Sequence, residues 1–379
     1  MRIFENLNID FLGKRKFFYA LSSAFFFVGV LGAIFRGFNF GIDFKGGTEL
    51  VLQFQNPVSI GDLRPKLENI GLGNIELKSF GGNNSILVRT ELQSLPRNSF
   101  LNVVNKINTV IGQDMPGLPY QISDSTSKSV TYAFPNADTT NRMIDKLYGQ
   151  GFQTAKASAD LTNTKMIVTI GIADLIKDHL KETVKNNSFE ILKEDQVGPK
   201  VGSELKKDAV IAVALSLLSI LIYLAFRFKF IFSAGGVIAL FHDVLITAGL
   251  YAALYNVIPG LNLEIDLTTV AAFLTLIGFS INDTVIVFDR VREMLKIHKT
   301  MPMQDVINLA VNKTLSRTII TSGTVLLSAI VLLIFGGEVL RAFAFTMFFG
   351  IIIGTYSSVF VASALVLEYT NKTKKVIQF

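Results

Sequence analysis

The 379-residue chain has no cysteine, no tryptophan, three histidines and only 17% charged residues. Without cysteine, no disulfide can staple an outer domain and no thiolate can act as nucleophile or metal ligand. The three histidines have no paired spacing, so no metal-ligand cluster is expected. No nucleophile–base constellation is visible either, and the chain is expected not to be an enzyme and to need no organic cofactor. Charge is scarce but biased, with 36 Lys and Arg against 30 Asp and Glu, a formal +6. Half of the residues are apolar, and they come in long blocks separated by basic loops.

Six blocks approach the roughly 20 residues that cross a bilayer core: Phe17–Phe35, Ala209–Phe226, Phe230–Leu254, Leu267–Phe288, Thr318–Phe335 and Ala342–Leu367. Lys14, Arg15 and Lys16 give the first the look of a signal peptide. Its length, and its passage through Gly32 into Arg36 without a small-residue cleavage site, make it an uncleaved anchor. Arg2, Lys14, Arg15, Lys16, Arg227, Lys229, the segment 290–317 and the tail with Lys372, Lys374 and Lys375 lie on one side, whereas Tyr255–Asp266 has no Lys or Arg and Gly336–Arg341 only Arg341. The positive-inside rule makes the basic side cytoplasmic, with both termini inside: an arm over 1–16 and a tail over 369–379. The net charge then reflects topology, and nucleic acid is not expected as a partner.

Residues 36–208, between spans one and two, form the expected outer domain, with five spans following over 209–368. Alternating and helical apolar spacings give strand Glu49–Phe54, helix Ser59–Ile70, strands Asn74–Phe80 and Ser85–Thr90, helix Arg97–Gly112 and strand Leu118–Ser123. The order recurs as strand Ser129–Phe134, helix Thr139–Tyr148, strands Thr154–Ala159 and Lys165–Ile170, helix Ala173–Lys185 and strand Phe189–Glu194. This is the ferredoxin-like β-α-β-β-α-β unit twice, over about 45–125 and 128–198. A single irregular α+β domain is the alternative. The fold class is therefore a polytopic α-helical membrane protein with a duplicated α+β ectodomain.

The chemistry-bearing residues lie inside the spans. Asp283 sits in an apolar run beside Ser280 and Asn282, where a carboxylate costs several kcal/mol (about 2.5–3.5) and so normally faces a partner, water or an ion path. Thr275, Gly278 and Asn282 make a small-polar stripe on span four, and Thr314, Arg317, Thr318, Thr321 and Ser328 make one on span five. The two stripes are expected to face each other or a water path. Asp243 shares a stripe with Ala239 and Thr247 and should face protein. His242 beside it is a relay candidate or a structural hydrogen-bonding group. Asp289, Arg290, Arg292 and Glu293 read as a solvated cluster at the membrane edge. Gly350, Gly354 and Ser358 predict close helix packing, and Met303–Lys313 an interfacial amphipathic helix.

Phe40–Thr48 carries the Gly46-Gly47 pair, and Val197–Leu205 carries Gly198-Pro199 and Gly202, with Ser203 a candidate helix N-cap. Gly41–Gly47 fits no phosphate-binding fingerprint. These two segments, together with Leu267–Ala272, Gly278–Arg292 and Leu315–Thr318, resemble the SecF family, membrane subunits of the bacterial SecD–SecF export complex. The resemblance covers both membrane blocks and the edges of the ectodomain, and the run Ser280–Glu293 is its most specific part. Members usually carry one ferredoxin-like unit, so the second copy is a departure.

The resemblance implies an RND-type six-helix half-bundle in the bacterial inner membrane that uses the proton-motive force for late preprotein translocation. It implies SecD as the other half, the SecY-E-G channel, YajC, YidC, the preprotein and membrane lipid as partners, and Gly46, Gly47, Gly198, Pro199 and Gly202 as the ectodomain hinge. On this reading Asp283 takes up and releases a proton while Arg317 biases its charge, with Asp243 and His242 as further relay candidates and Asn282, Ser280, Thr318 and Thr321 as polar support. A buried Asp283–Arg317 pair that only fixes helix register is the static alternative. An RND-type exporter of small molecules or lipids is the alternative function.

Overall fold

The structure, a computed structural model, describes residues 8–68, 70–160, 162–258, 261 and 263–373. Arg2, Lys374 and Lys375, counted above for orientation, lie outside the described residues. Two compact units are present: Lys45–Ser203, and the chain on either side of it.

A 3-10 turn over Leu12–Lys14 leads into α1 (Arg15–Phe35), followed by the single turn α2 (Ile42–Lys45). The α+β unit then runs β1 (Gly47–Phe54), α3 (Ile60–Glu68), β2 (Ile75–Ser79), β3 (Ser85–Thr90), α4 (Arg97–Asp114), β4 (Gln121–Ser125), β5 (Ser129–Ala133), α5 (Ala137–Gly149), β6 (Gln153–Lys156), β7 (Lys165–Thr169), α6 (Ile172–Thr183) and β8 (Phe189–Val197). Two of its helices, α5 and α6, start where a short polar side chain meets a backbone N–H group. Asn136 accepts from Thr139 N at 2.8 Å to begin α5, and Asp174 accepts from Gly171 N at 3.0 Å to close the first turn of α6.

The β-α-β-β-α-β order occurs twice, but the sheets do not follow the copies. One sheet has the order β2-β3-β1-β8 and the other β4-β5-β7-β6, all pairs antiparallel. Each sheet takes three strands from one copy and its fourth from the other. β8 pairs with β1 from Gly47↔Val197 to Phe54↔Phe189, and β4 pairs with β5 from Gln121↔Ala133 to Ser125↔Val130. The expected boundary near residues 125–128 therefore cuts through both sheets and does not separate one from the other. Leu50, Leu52, Ile86 and Val88 from one sheet, Tyr132, Met166 and Val168 from the other, and Leu63, Leu67, Ile107, Met143, Leu147, Ile176 and Leu180 from the helices belong to one continuous core. That core replaces the disulfides the chain lacks.

The membrane unit continues with α7 (Pro199–Arg227), α8 (Phe230–Leu254), α9 (Leu267–Ile297), α10 (Met303–Phe335), α11 (Gly337–Ser357), a π-helical segment over Ser358–Ala362 and α12 (Ser363–Thr373). Among the described residues, six helices are long and apolar enough to cross a membrane. α9 and α10, with 31 and 33 residues, are about 46–50 Å long and so outreach a ~30 Å hydrocarbon core. The projecting end of α9 carries the charges: Asp289 pairs with Arg227 at 3.0 Å and Arg292 at 2.8 Å, and Arg290 with Glu293 at 2.5 Å.

Two expectations are corrected here. Met303–Lys313 is not a separate interfacial helix but the first third of α10, whose Val306, Ile307, Ala310 and Val311 are buried in one core with Val291 and Met294 of α9. Its apolar spacing serves a helix hairpin instead of a lipid surface. Ser203 is not an N-cap, because α7 starts four residues earlier at Pro199, a residue preorganised for the first helical position. Ser203 Oγ donates to Lys200 O at 2.9 Å inside the helix, and Gly202 N donates to Gly198 O at 2.8 Å. Gly202 is thus a helical residue and not a turn.

Candidate functional site

Asp266 opens α9 by accepting from Thr269 N at 2.6 Å, which fixes the rotation of the helix carrying Ser280 and Asp283. Across from it, Gly350 and Gly354 let α11 approach: a Cβ on Gly350 would lie 2.5 Å from Leu276 Cδ2, and one on Gly354 3.0 Å from Ser280 Cβ and 3.5 Å from Asp243 Oδ2. The small-residue ladder predicted for this helix thus packs within the chain. It brings two carboxylates into the dry interior.

Asp243 is 1% exposed and fully engaged. Its Oδ2 accepts from Ser280 Oγ at 2.5 Å and Ser357 Oγ at 2.8 Å, and its Oδ1 lies 2.8 Å from His242 Nδ1. His242 Nε2 lies 2.9 Å from Ser22 Oγ and 3.4 Å from Tyr356 OH, and those two hydroxyls are 3.2 Å apart. The network joins α1, α8, α9 and α11. With Nδ1–H given to the carboxylate, the neutral ring accepts from Ser22 at Nε2; the protonated ring donates at both nitrogens, and the hydroxyls reverse direction. Either protonation state of the ring leaves the polar groups hydrogen-bonded to one another.

Asp283 is also 1% exposed but only half engaged. Its Oδ2 accepts from Ser322 Oγ at 2.9 Å, and Thr355 Oγ1 donates to Ser322 Oγ at 3.0 Å. Its Oδ1 has no hydrogen-bond partner among the described residues. A buried carboxylate with an unmet oxygen is costly, and either protonation or a donor from another chain relieves it. Arg317 supplies no such donor: it is exposed and forms no ion pair with Asp283 among the described residues. The static buried pair is therefore not what the structure contains.

The two polar stripes split between inside and outside. Asp283, Ser280 and Thr284 of α9 and Thr314, Thr318 and Ser322 of α10 are buried, while Thr275, Gly278 and Asn282 of α9 and Arg317, Thr324 and Ser328 of α10 are exposed and Thr321 half-buried. A Cβ on Gly278 or Gly323 would meet nothing within 4 Å. An exposed row of amide, hydroxyl and guanidinium groups on apolar helices is unstable against lipid and calls for a polar or protein neighbour.

Ser22, Ser322, Thr355, Tyr356 and Ser357 complete these networks, and sequence reasoning does not single them out. Ser322 has a signal, four residues beyond Thr318 on the same face. Thr355, Tyr356 and Ser357 have another, three consecutive hydroxyls in an apolar span. They immediately precede the π-helical segment Ser358–Ala362, and such segments often mark functional positions in helices. Ser22 on α1 has none. Among the hinge residues, Gly46 and Gly47 adopt positive φ of 76° and 121° at the start of β1, while Gly198 and Pro199 stand at the junction of β8 and α7.

Comparison with known proteins places this geometry in a family. The family described as "Protein export membrane protein SecD/SecF, C-terminal" matches residues 176–372, and the "SecD/SecF GG Motif" matches residues 33–58. Residues 59–175, most of the α+β unit, lie outside both matches. Curated relatives named "Protein translocase subunit SecF" include those of Koribacter versatilis, 34% identical over 97% of this chain and 93% of the relative, and Rhodothermus marinus, 36% identical over 97% and 95%. Among solved structures, SecDF from Thermus thermophilus, described as a translocon-associated membrane protein, aligns with TM-score 0.63 and 29% identity. That alignment covers 97% of this chain but 39% of the SecDF chain, so this chain spans about two fifths of that protein. The fold, the glycine-pair segment and the near full-length relatives agree: the chain belongs to the SecF family.

Proposed function

We propose that this chain is the SecF half of a two-part, proton-driven accessory machine of Sec protein export, a multi-pass protein of the bacterial inner membrane. SecD supplies the facing half, and the SecY-E-G channel, YajC, YidC and the emerging preprotein are further partners. The basic loops support a topology with both termini in the cytoplasm and the α+β unit outside.

The observation that carries this reading is Asp283, buried in α9 with one oxygen unmet, next to an exposed polar row that nothing among the described residues covers. A facing half-bundle would cover that row and, once Asp283 turns toward it, supply the missing donor. Protonation of Asp283 removes the need for the donor, so proton occupancy and the contact between the halves are linked. Arg317, exposed on the same helix as Ser322, biases the carboxylate toward its charged form when the halves close. One charge moved through the membrane field is worth ~2.3 kcal/mol per 100 mV, enough to shift a two-state equilibrium nearly fifty-fold. His242 and Asp243 with Ser22 and Tyr356 form a second proton-carrying group, and Gly46, Gly47, Gly198 and Pro199 connect the membrane helices to the moving domain. The exporter alternative has no observation in its favour beyond the shared helix arrangement.

The test is proton-gradient-dependent secretion of a model preprotein by vesicles carrying wild type or Asp283→Asn, with SecD pull-down as the assembly control. Asparagine keeps the acceptor for Ser322 and cannot release a proton. Secretion falling to the level without a gradient, with SecD still bound, is the expected result. Wild-type secretion by Asp283→Asn would sink the coupling role.

A further inference from the structure

A helix with much of its surface uncovered is the starting point. Over its apolar stretch 11% of α7 is buried, as for α1, against 44% for α8 and α9, and Leu217 and Leu224 anchor it to those two helices. Between α7 and those two helices runs a cavity of about 620 Å³. Every lining side chain is apolar except Lys206; Phe40 and Phe44 close the end near Lys206, Val213 and Leu217 line the middle, and Leu221 and Phe241 lie at depth. In a bilayer a space this large and this apolar does not stay empty and does not hold water, because its lining would forfeit its dispersion contacts and offers no hydrogen-bond partners. Something apolar fills it.

The ends of the cavity say what. Lys206, Phe40 and Ile265 all belong to the margin of the bundle where α1 has ended and α9 has not begun, the level of the membrane interface. The Lys206 ammonium sits 3.8 Å above the Phe40 ring, is exposed, and forms no ion pair among the described residues. Of the carboxylates at that margin, Asp43 accepts from Leu267 N at 3.0 Å and Asp266 from Thr269 N, while Glu204 and Asp208, exposed on α7 itself, form no ion pair with Lys206 among the described residues. From Lys206 to Leu221 the cavity follows α7 for about 22 Å, more than the ~15 Å of one hydrocarbon leaflet. A cation at the interface above an apolar slot of leaflet depth matches one ligand class, a glycerophospholipid with its phosphate at Lys206 and an acyl chain in the slot.

We propose that a bilayer glycerophospholipid occupies the α7–α8–α9 cavity as a resident wedge, phosphate on Lys206 and acyl chain along Val213 and Leu217. The wedge sets the distance between α7 and the rest of the bundle. Because α7 begins at Pro199, directly after the last strand of the α+β unit, lipid occupancy positions the helix that carries one of that unit's two connections. This goes beyond the coupling role proposed above and does not depend on it.

The experiment uses the intact complex in vesicles of phosphatidylethanolamine and phosphatidylglycerol. A photoreactive benzoylphenylalanine replaces Val213, with Phe335, exposed at the end of α10, as the control position. Native mass spectrometry after mild detergent extraction counts retained phospholipid in wild type, Lys206→Glu and Val213→Trp. Lipid adducts at position 213 exceeding those at 335, retained lipid reduced about fivefold or more in Lys206→Glu, and loss of that lipid in Val213→Trp are expected. Crosslinking of position 213 to a protein chain, or equal lipid retention in all three proteins, would overturn the proposal. The crosslink is read in an otherwise wild-type protein, so a folding defect in either substituted protein leaves that readout standing.

Discussion

The crossing of α1 and α8 makes a demanding prediction. A Cβ added to Gly29 would stand 2.7 Å from Gly249 Cα, and one added to Gly249 would stand 2.7 Å from Gly29 Cα. Carbon atoms in contact prefer roughly 3.5–4.0 Å, so either alanine must push the helices about 1 Å apart. Overpacking of this kind costs about 1–3 kcal/mol, against which alanine recovers up to ~1 kcal/mol of helix propensity. Each single variant is therefore expected to be neutral to about 2 kcal/mol less stable, and Gly29→Ala with Gly249→Ala to lose more than the sum, since the two new methyls meet. Gly278 and Gly323 are the controls: nothing lies within 4 Å of a Cβ there, so alanine should stabilise the isolated subunit by up to ~1 kcal/mol. The chain has no tryptophan, so thermal unfolding in detergent is followed by circular dichroism. A second readout sits seven residues along each helix, where Ser22 and His242 are 2.9 Å apart. A ~1 Å separation takes that pair beyond hydrogen-bonding distance and removes α1 from the network. If Gly29→Ala and Gly249→Ala stabilise the subunit as Gly278→Ala does, the packing argument is wrong.

Other outcomes follow from single contacts. Asn308 accepts from Leu12 N at 3.1 Å and donates to Asp10 at 2.7 Å, while Asn312 accepts from Ile9 N at 3.0 Å and donates to Ile9 O at 2.9 Å. Replacing both with alanine removes four bonds of about 0.5–1.5 kcal/mol each, and trypsin should then cut at Lys14–Arg15 faster than in wild type; unchanged cutting would mean the arm is held otherwise. In the α+β unit, bonding to Lys146 with the charge of Arg142 holds the Asp114 carboxyl below its ordinary range. Its contribution is present above the unfolded value, ~3.9, and is lost as pH falls through the folded one, so Asp114→Asn should lower the thermal midpoint at pH 7 and do little at pH 2. Partial desolvation, and then the charge of Asp174, raise the carboxyl of Glu194, which remains exposed at the surface. Its contribution is present below the unfolded value, ~4.3, and lost as pH rises through the folded one, so Glu194→Gln should raise the midpoint at pH 7 and give no gain at pH 3.5. The two variants shifting in the same direction at pH 7 would refute this assignment.

What the sequence made legible was whatever depends on neighbours in the chain. Apolar alternation placed β3 at Ser85–Thr90 to the residue, and apolar run length placed α8 at Phe230–Leu254. The burial of Asp243 also followed from its small neighbours Ala239 and Thr247, both buried. What stayed hidden depends on pairing across the chain. Nothing in the alternation of β8 says whether it joins β5, the first strand of its own copy, or β1, since a strand pattern records which face is buried and not which edge it meets. In the same way Ser22 is an ordinary span residue until α8 lies against α1, and Gly29 gives no sign of Gly249. The offset of Arg317 from Thr318 suggests that it faces Asp283, but Thr318 turns inward and Arg317 outward, an angular difference of about 100° that spacing of three and four tolerates on one nominal stripe.

The strand exchange has a mechanical consequence that makes the glycine pair testable. Because β8 pairs with β1, the strand leaving the α+β unit lies beside the strand entering it, with Gly47 opposite Val197. Both connections to the membrane helices therefore meet at one point, and two residues there have no room for a side chain. Gly47 has φ of 121°, and a Cβ on it would lie 2.3 Å from Thr90 O; Gly46 has φ of 76°, and its Cβ would lie 3.0 Å from Pro199 Cα. Gly198 lacks both problems: its nearest neighbour would be 3.7 Å away, an ordinary contact. Backbone strain alone costs about 1–3 kcal/mol at such positive φ, and at Gly47 a backbone carbonyl that β3 holds in place must also move. The expected order of damage is Gly47→Ala, then Gly46→Ala, then a near-silent Gly198→Ala. It is read as protease resistance of the α+β unit in the full-length chain and as secretion by the same membranes. Pro199 leads straight into α7, so Gly46→Ala should reduce secretion more than it reduces protease resistance, whereas Gly47→Ala should reduce both. Equal effects of Gly47→Ala and Gly198→Ala would show that the two connections are not held together at this point, and the single-hinge account would fall with them.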